Sequence, residues 1–215
     1  MTSEQLLNEI VKAQADYAKI FRKTISLTRR RLAIQNHNFS PDDFDNEVIR
    51  ESDLEHIGHL PLVATMIHPH LENRDKVDLG KTLLYLALHE APERIVGDVM
   101  HEDKTDDYNN AELEAAHKIY SDSYEHYFKL YEDFHFIKNI DAQFAYSVDR
   151  IAPMIYYEAQ DVDTRSIIWD AYDLNTDKIR KSVRRYMEWD KTLYDLCEHI
   201  LDTIDQQNKD NKIII

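Results

Sequence analysis

His89 and Glu90 close the run Lys81-Thr-Leu-Leu-Tyr-Leu-Ala-Leu, so an imidazole and a carboxylate arrive side by side at the end of a stretch that is apolar on nearly every side. Desolvating such a pair is costly unless something compensates, and a metal ion compensates both groups. Neutral imidazole together with carboxylate oxygen suits a borderline divalent ion such as Mn, Fe, Co, Ni or Zn, whereas a purely hard ion prefers oxygens alone. Two adjacent ligands are not enough for a site. Upstream, Glu51-Ser-Asp-Leu-Glu-His-Ile-Gly-His sets His56 and His59 one helical turn apart, and either can reach an ion. Downstream, Asp149 interrupts a helical pattern otherwise made of Phe144, Val148, Ile151 and Ile155, and a carboxylate buried there needs a partner. Taken singly, a His or Asp in a helix is more often a hydrogen-bonded core or surface residue than a ligand. The zinc-protease spacing of two histidines four apart fails, because position 93 is Glu and Pro92 sits between.

These side chains must be positioned by a chain of 215 residues with 43% hydrophobic and 10% aromatic content and only 3 Gly and 5 Pro, a globular composition. That length buries enough surface to fold without disulfides or a structural metal. The 26 basic and 41 acidic residues leave a formal charge of −15, which repels a polyanion and argues against a nucleic-acid polymer as partner, although a small anion can still bind to a few well-placed Arg and Lys side chains. The single cysteine, Cys197, cannot form an intramolecular bridge, and the start Met-Thr-Ser-Glu-Gln lacks the features of a secretory signal. The longest nearly apolar stretch, Ile57 to Ile67, is too short to span a bilayer. A soluble, cytoplasmic protein without membrane contact is the expectation.

Scarce glycine leaves few sites for tight hairpins, and apolar residues recur at three- and four-residue spacing almost throughout, so the chain reads as all-α, a single helical domain over 1–215. A first helix starts behind Ser3, carries Leu6, Ile10, Ala13, Tyr17 and Ile20 on one face, and ends near Gln35. A polar loop follows from Asn36 to Asn46. The second helix is expected from about Ser52 to Ile67, stopped by Pro69, and the third opens at Gly80 and is the candidate for a fully surrounded central helix. Further helices are expected at about Ala111 to Phe134, Asn139 to Glu158, Arg165 to Tyr172 and Asp177 to Gln206. The tail from Asn208 to Ile215 is assigned no function. Tyr120, Tyr124, Tyr127 and Tyr131 recur at helical spacing and read as packing or as a subunit interface, which permits a homodimer.

Taken in order, these segments resemble the HD-domain phosphohydrolases, most closely the 5′-deoxynucleotidase type. The resemblance runs through Arg50-Glu51 and Glu55-His56, then His89-Glu90 with Glu93 and Gly97-Asp98, then Lys104, then Asp149-Arg150-Ile151. It covers about Arg50 to Pro153, and it departs from the family at Glu90, where the signature has Asp. It implies one divalent ion (Mn, Co, Fe, Ni, Zn or Mg) held by His56, His89, Glu90 and Asp149. It further implies Glu93 as the proton-transfer residue, Asp98 as the group that orients or deprotonates the attacking water, and Lys104 and Arg50 as neutralisers of phosphate oxygens, with Arg30 or Arg31 joining them. His59 then lines the pocket. The implied activity is removal of the 5′-phosphate from deoxynucleoside monophosphates, with a small-molecule nucleotide as partner. The alternatives are a deoxynucleoside triphosphate triphosphohydrolase on the same ligands, or a degenerate binding protein in which Glu90 has cost the metal.

Overall fold

The computed structural model describes residues 1–12, 53–97, 104–120, 125–158 and 175–210, and among these every regular element is helical. Residues 3–12 are helical and bury Leu6, Leu7 and Ile10. There follow α1 (Asp53–Ile67), α2 (Leu79–Leu88), the single turn α3 (Glu93–Val96), α4 (Asp106–Tyr120), α5 (Glu125–His135), α6 (Ile140–Glu158), α7 (Thr176–Val183) and α8 (Lys191–Asp210). Short 3-10 turns lie at His68–His70, Arg74–Lys76 and Arg184–Tyr186. The expected end of the first helix near Gln35, the Asn36 to Asn46 loop, the helix at Arg165 to Tyr172 and the last residues of the tail lie outside the described residues.

The central element is α6, not the helix after Gly80. Twelve of its residues are buried, and α1, α2, α5 and α8 all pack on it. By contrast α2 leaves Leu84 49% exposed, because a uniformly apolar decapeptide does not by itself say which side faces the core. Asp78 caps α2 by accepting from the Lys81 N–H at 3.1 Å, so the helix begins before Gly80. The Asp78 N–H donates in turn to Asp141 on α6 at 2.8 Å. This junction starts α2 and α6 side by side and parallel, with the Thr82 hydroxyl donating to the Asp141 carbonyl at 3.5 Å. Two helical turns further on, about 11 Å along both axes, the same register brings His89 opposite Asp149. The other neighbour, α1, runs the opposite way, since its start meets Asp149 through His56 while His68 beyond its end lies 6.1 Å from the Phe144 ring.

Two single helices expected from periodicity are each two helices. Over Ala111 to Phe134 the chain forms α4 and α5 packed on one another, with the His117 and Phe128 rings 4.9 Å apart where one straight helix would separate them by about 16 Å. Tyr120 and Tyr131 are buried in that contact, which makes them packing residues; Tyr124 lies outside the described residues. Over Asp177 to Gln206 the chain stops at Val183, turns through Arg184–Tyr186 and restarts at Lys191. Asp190, 1% exposed, caps the restart by accepting from the Thr192 N–H at 3.0 Å and also accepts from the Asn73 N–H at 3.0 Å. Among the described residues no helix is long and apolar enough to cross a membrane.

Candidate metal centre

Three elements deliver four ligand atoms to one point: α1 brings His56, the turn after α2 brings His89 and Glu90, and α6 brings Asp149. One donor atom from each lies within 4.8 Å of the others. Asp149 Oδ1 is 2.9 Å from His56 Nε2 and 3.3 Å from His89 Nε2, and Glu90 Oε1 is 2.8 Å from His89 Nε2 and 3.7 Å from His56 Nε2. The surroundings are the core itself, with Phe144, Val148, Ile151 and Ile155 fully buried beside Asp149 as their spacing predicts. Pro153 has no N–H to offer the Asp149 carbonyl one turn below, so the helix is weakened next to its functional residue.

The orientation of His89 is set by its backbone environment. His89 is the residue that caps α2, and its Nδ1 lies 2.9 Å from the Leu86 carbonyl. A carbonyl only accepts, so Nδ1 carries the hydrogen and Nε2 turns its lone pair toward Glu90 and Asp149 in the neutral ring, as a metal ligand requires. Glu90 lies beyond the last residue of α2, in a turn whose backbone is not locked into the helix. From that turn the glutamate, one methylene longer than aspartate, brings its carboxylate to His89 Nε2. The turn also means that His89 and Glu93 do not share one helix face, as their spacing suggests. Glu93 starts α3 and is brought back by the turn at 89–92.

The buried carboxylates are balanced by the cationic groups around them. Burial pulls His89 down, but the adjacent Glu90 and Asp149 charges outweigh it and raise the imidazole to about 9. Burial pushes Glu90 up, yet the charge of His89 and hydrogen bonds from His89 and Glu93 hold it at about 2. Asp149, likewise opposed by burial, is held well below the usual carboxylate range by Arg150, His89 and His56. Two carboxylates and two imidazole nitrogens that need positive charge to share one buried point are the donor set of a borderline divalent ion, and the residues fit that group.

Around the ligands, His59 is buried at 5% exposure, edge-on to His56 at 5.5 Å and stacked on Tyr156, so it lines the site. Lys104 Nζ is 3.4 Å from Glu93 Oε1 and 2.6 Å from Glu112 Oε1, so its ammonium pairs with two acids. Arg150 lies 3.6 Å from Asp149 Oδ2, donates to the Tyr146 hydroxyl at 3.1 Å and stacks over that ring. Arg50, Asp98, Arg30 and Arg31 lie outside the described residues. Glu112 is absent from the sequence reading, although a signal exists: Glu112, Ala116 and Tyr120 recur every four residues on the buried face of α4, where an acid is out of place.

Residues 43–188, more than half of the chain, match the family model for the HD domain, and the chain belongs to that family. Within that family frame His56, His89, Glu90 and Asp149 form a donor set that fits one divalent metal ion. The fold is similar to the crystal structure of a predicted metal-dependent phosphohydrolase from Magnetospirillum magnetotacticum MS-1, at 22% sequence identity and a TM-score of 0.63, covering 74% of this chain and 82% of that one. Among curated proteins none matches the chain.

Proposed function

We propose that the chain hydrolyses the 5′-phosphate of deoxynucleoside monophosphates. The observation that carries the hydrolytic part is the convergence of His56, His89, Glu90 and Asp149, with a further acid, Glu93, three residues after Glu90. The order of motifs from Arg50 to Ile151 supports the monophosphate substrate. A bound divalent ion would act as Lewis acid on a phosphate oxygen and make water acidic enough to attack at neutral pH. The chain's own groups do the rest. Asp149 and Glu90 supply anionic ligands, and His89 presents Nε2 because Leu86 holds its other nitrogen. Glu93, outside the ligand set, would hand a proton to the departing sugar oxygen. Asp98 would orient the attacking water and Arg50 a phosphate oxygen, roles that follow from the motif order.

The experiment is product analysis by anion-exchange chromatography after incubating Mn- or Co-loaded protein with deoxynucleoside mono- and triphosphates, with His89→Ala as blank. Inorganic phosphate from monophosphates is the expected product. Intact triphosphate released from triphosphates would move the protein to the triphosphohydrolase reading. Absence of product from both would favour a binding protein on a hydrolase fold.

A further inference from the structure

Glu112 is a buried acid with no part in the chemistry above. It is 6% exposed on α4, and its Oε1 lies 2.6 Å from Lys104 Nζ, the closest ion pair near the site. The same ammonium reaches Glu93 Oε1 at 3.4 Å and sits over the Tyr108 ring, 5.2 Å from its centroid. Glu93 in turn acts on the acidity of Glu90, whose Oε1 faces His89 Nε2 at 2.8 Å. A line of charge-assisted contacts therefore runs from α4 through Lys104 to Glu93, three residues from the metal ligand Glu90. All four side chains are largely removed from water, at 8%, 15%, 10% and 13% exposure. In such surroundings charge-assisted contacts fix geometry far more firmly than at a surface. The ammonium has three donors, and two carboxylates and an aromatic face already enclose it. A lysine meant for a phosphate oxygen would have to break its pair with Glu112, leaving that acid buried and unpaired at a cost that opposes substrate binding.

We infer that Lys104 and Glu112 are positioning residues: Glu112 anchors the ammonium, and the ammonium fixes the Glu93 carboxyl group beside the ligand set. This rests on the metal-hydrolase reading of the site and gives Lys104 a different task from phosphate neutralisation. Glu93 starts a four-residue helix, α3, whose backbone alone does little to fix a side chain, so the clamp supplies what the element lacks.

The test uses the full chain loaded with Co²⁺, in wild type, Glu112→Gln, Lys104→Met, Glu93→Gln and the Glu93→Gln/Glu112→Gln pair. Three quantities are followed: bound cobalt per chain, the visible Co²⁺ absorption band, and kcat and KM for deoxynucleoside monophosphates. The clamp predicts that Glu112→Gln keeps one cobalt, lowers kcat by about 10- to 100-fold with KM unchanged, and shifts the band in the same direction as Glu93→Gln. In the Glu93→Gln background, adding Glu112→Gln should change neither the band nor kcat, because the contact it served is gone. Lys104→Met must behave as Glu112→Gln does, which guards against a variant that merely folds poorly. An unchanged band and kcat overturns the inference, as does a loss equal in both backgrounds. A raised KM with unchanged kcat in Lys104→Met would return Lys104 to phosphate binding and also overturn it. If wild type turns over no monophosphate, the substrate reading fails, while the cobalt band, which needs no turnover, still decides the clamp.

Discussion

His89 shows how little of a site a single residue type determines and how much its neighbours add. Its pairing with Glu90 at the end of an apolar run was legible, because an imidazole and a carboxylate there have to be compensated. The choice of His56 over His59 came from the order of motifs and not from spacing, since both lie on one turn of α1; packing against α6 separates them, with His56 2.9 Å from Asp149 and His59 stacked on Tyr156. His89→Ala and Asp149→Ala should each lose stoichiometric metal, whereas Glu93→Gln should retain it and lower turnover by about 10²- to 10⁴-fold, the range for a proton-transfer group. Metal analysis of the purified variants checks this, and a full complement of metal in His89→Ala would remove it from the ligand set. A proton also competes with the ion. With His89 raised to about 9 in the metal-free chain, metal must displace that proton at neutral pH, so affinity should rise about tenfold per pH unit up to about 9. Calorimetry in buffers of different ionisation enthalpy should record the release of one proton, and a pH-independent affinity would contradict it. The metal-free stability follows the opposite course: the His89 contribution is complete below 6.5 and lost as pH rises through about 9, and the Glu90 contribution is present above 4.5 and lost as pH falls through about 2.

Helices were readable wherever one face alternates with solvent, and less so where a turn carries its own helical periodicity. The bounds of α1 and α6 follow from their flanking residues almost to the residue, which is why His56 and Asp149 could be placed on helices at all. The α4–α5 pair was hidden, because tyrosines at three- and four-residue intervals continue across the junction and the pattern holds no proline or glycine to mark it. Asp190 was hidden for another reason: its signal, an acid one residue before a helix, is common, and its second partner, the Asn73 N–H, lies far away in sequence. This residue now ties the start of α8 to the loop that precedes α2. Asp190→Ala should lower the stability of the fold by about 1 to 3 kcal/mol, since it leaves backbone donors unsatisfied, without changing metal stoichiometry. Chemical denaturation reads that loss directly. A variant as stable as wild type would show that the cap is dispensable, and one that loses metal would couple α8 to the site.

At the scale of the molecule, the candidate metal centre is where α1, the end of α2 and the central α6 meet. The parallel register of α2 on α6 is set at Asp78 and Asp141, outside the site, so the site inherits its geometry from a junction two helical turns away. Metal should therefore stabilise the whole fold and not only a loop. At a free ion concentration 100 times Kd the gain is about 2.7 kcal/mol, visible as a higher Tm that EDTA reverses. A Tm indifferent to both Co²⁺ and EDTA would contradict a site that joins three elements. The most direct test of the metal centre itself is anomalous diffraction at the cobalt edge from Co²⁺-loaded crystals. The predicted result is one strong peak about 2.0 to 2.2 Å from Nε2 of His56, Nε2 of His89 and a carboxylate oxygen each of Glu90 and Asp149. A peak elsewhere in the chain, or none at these four residues at full occupancy of added metal, would contradict it.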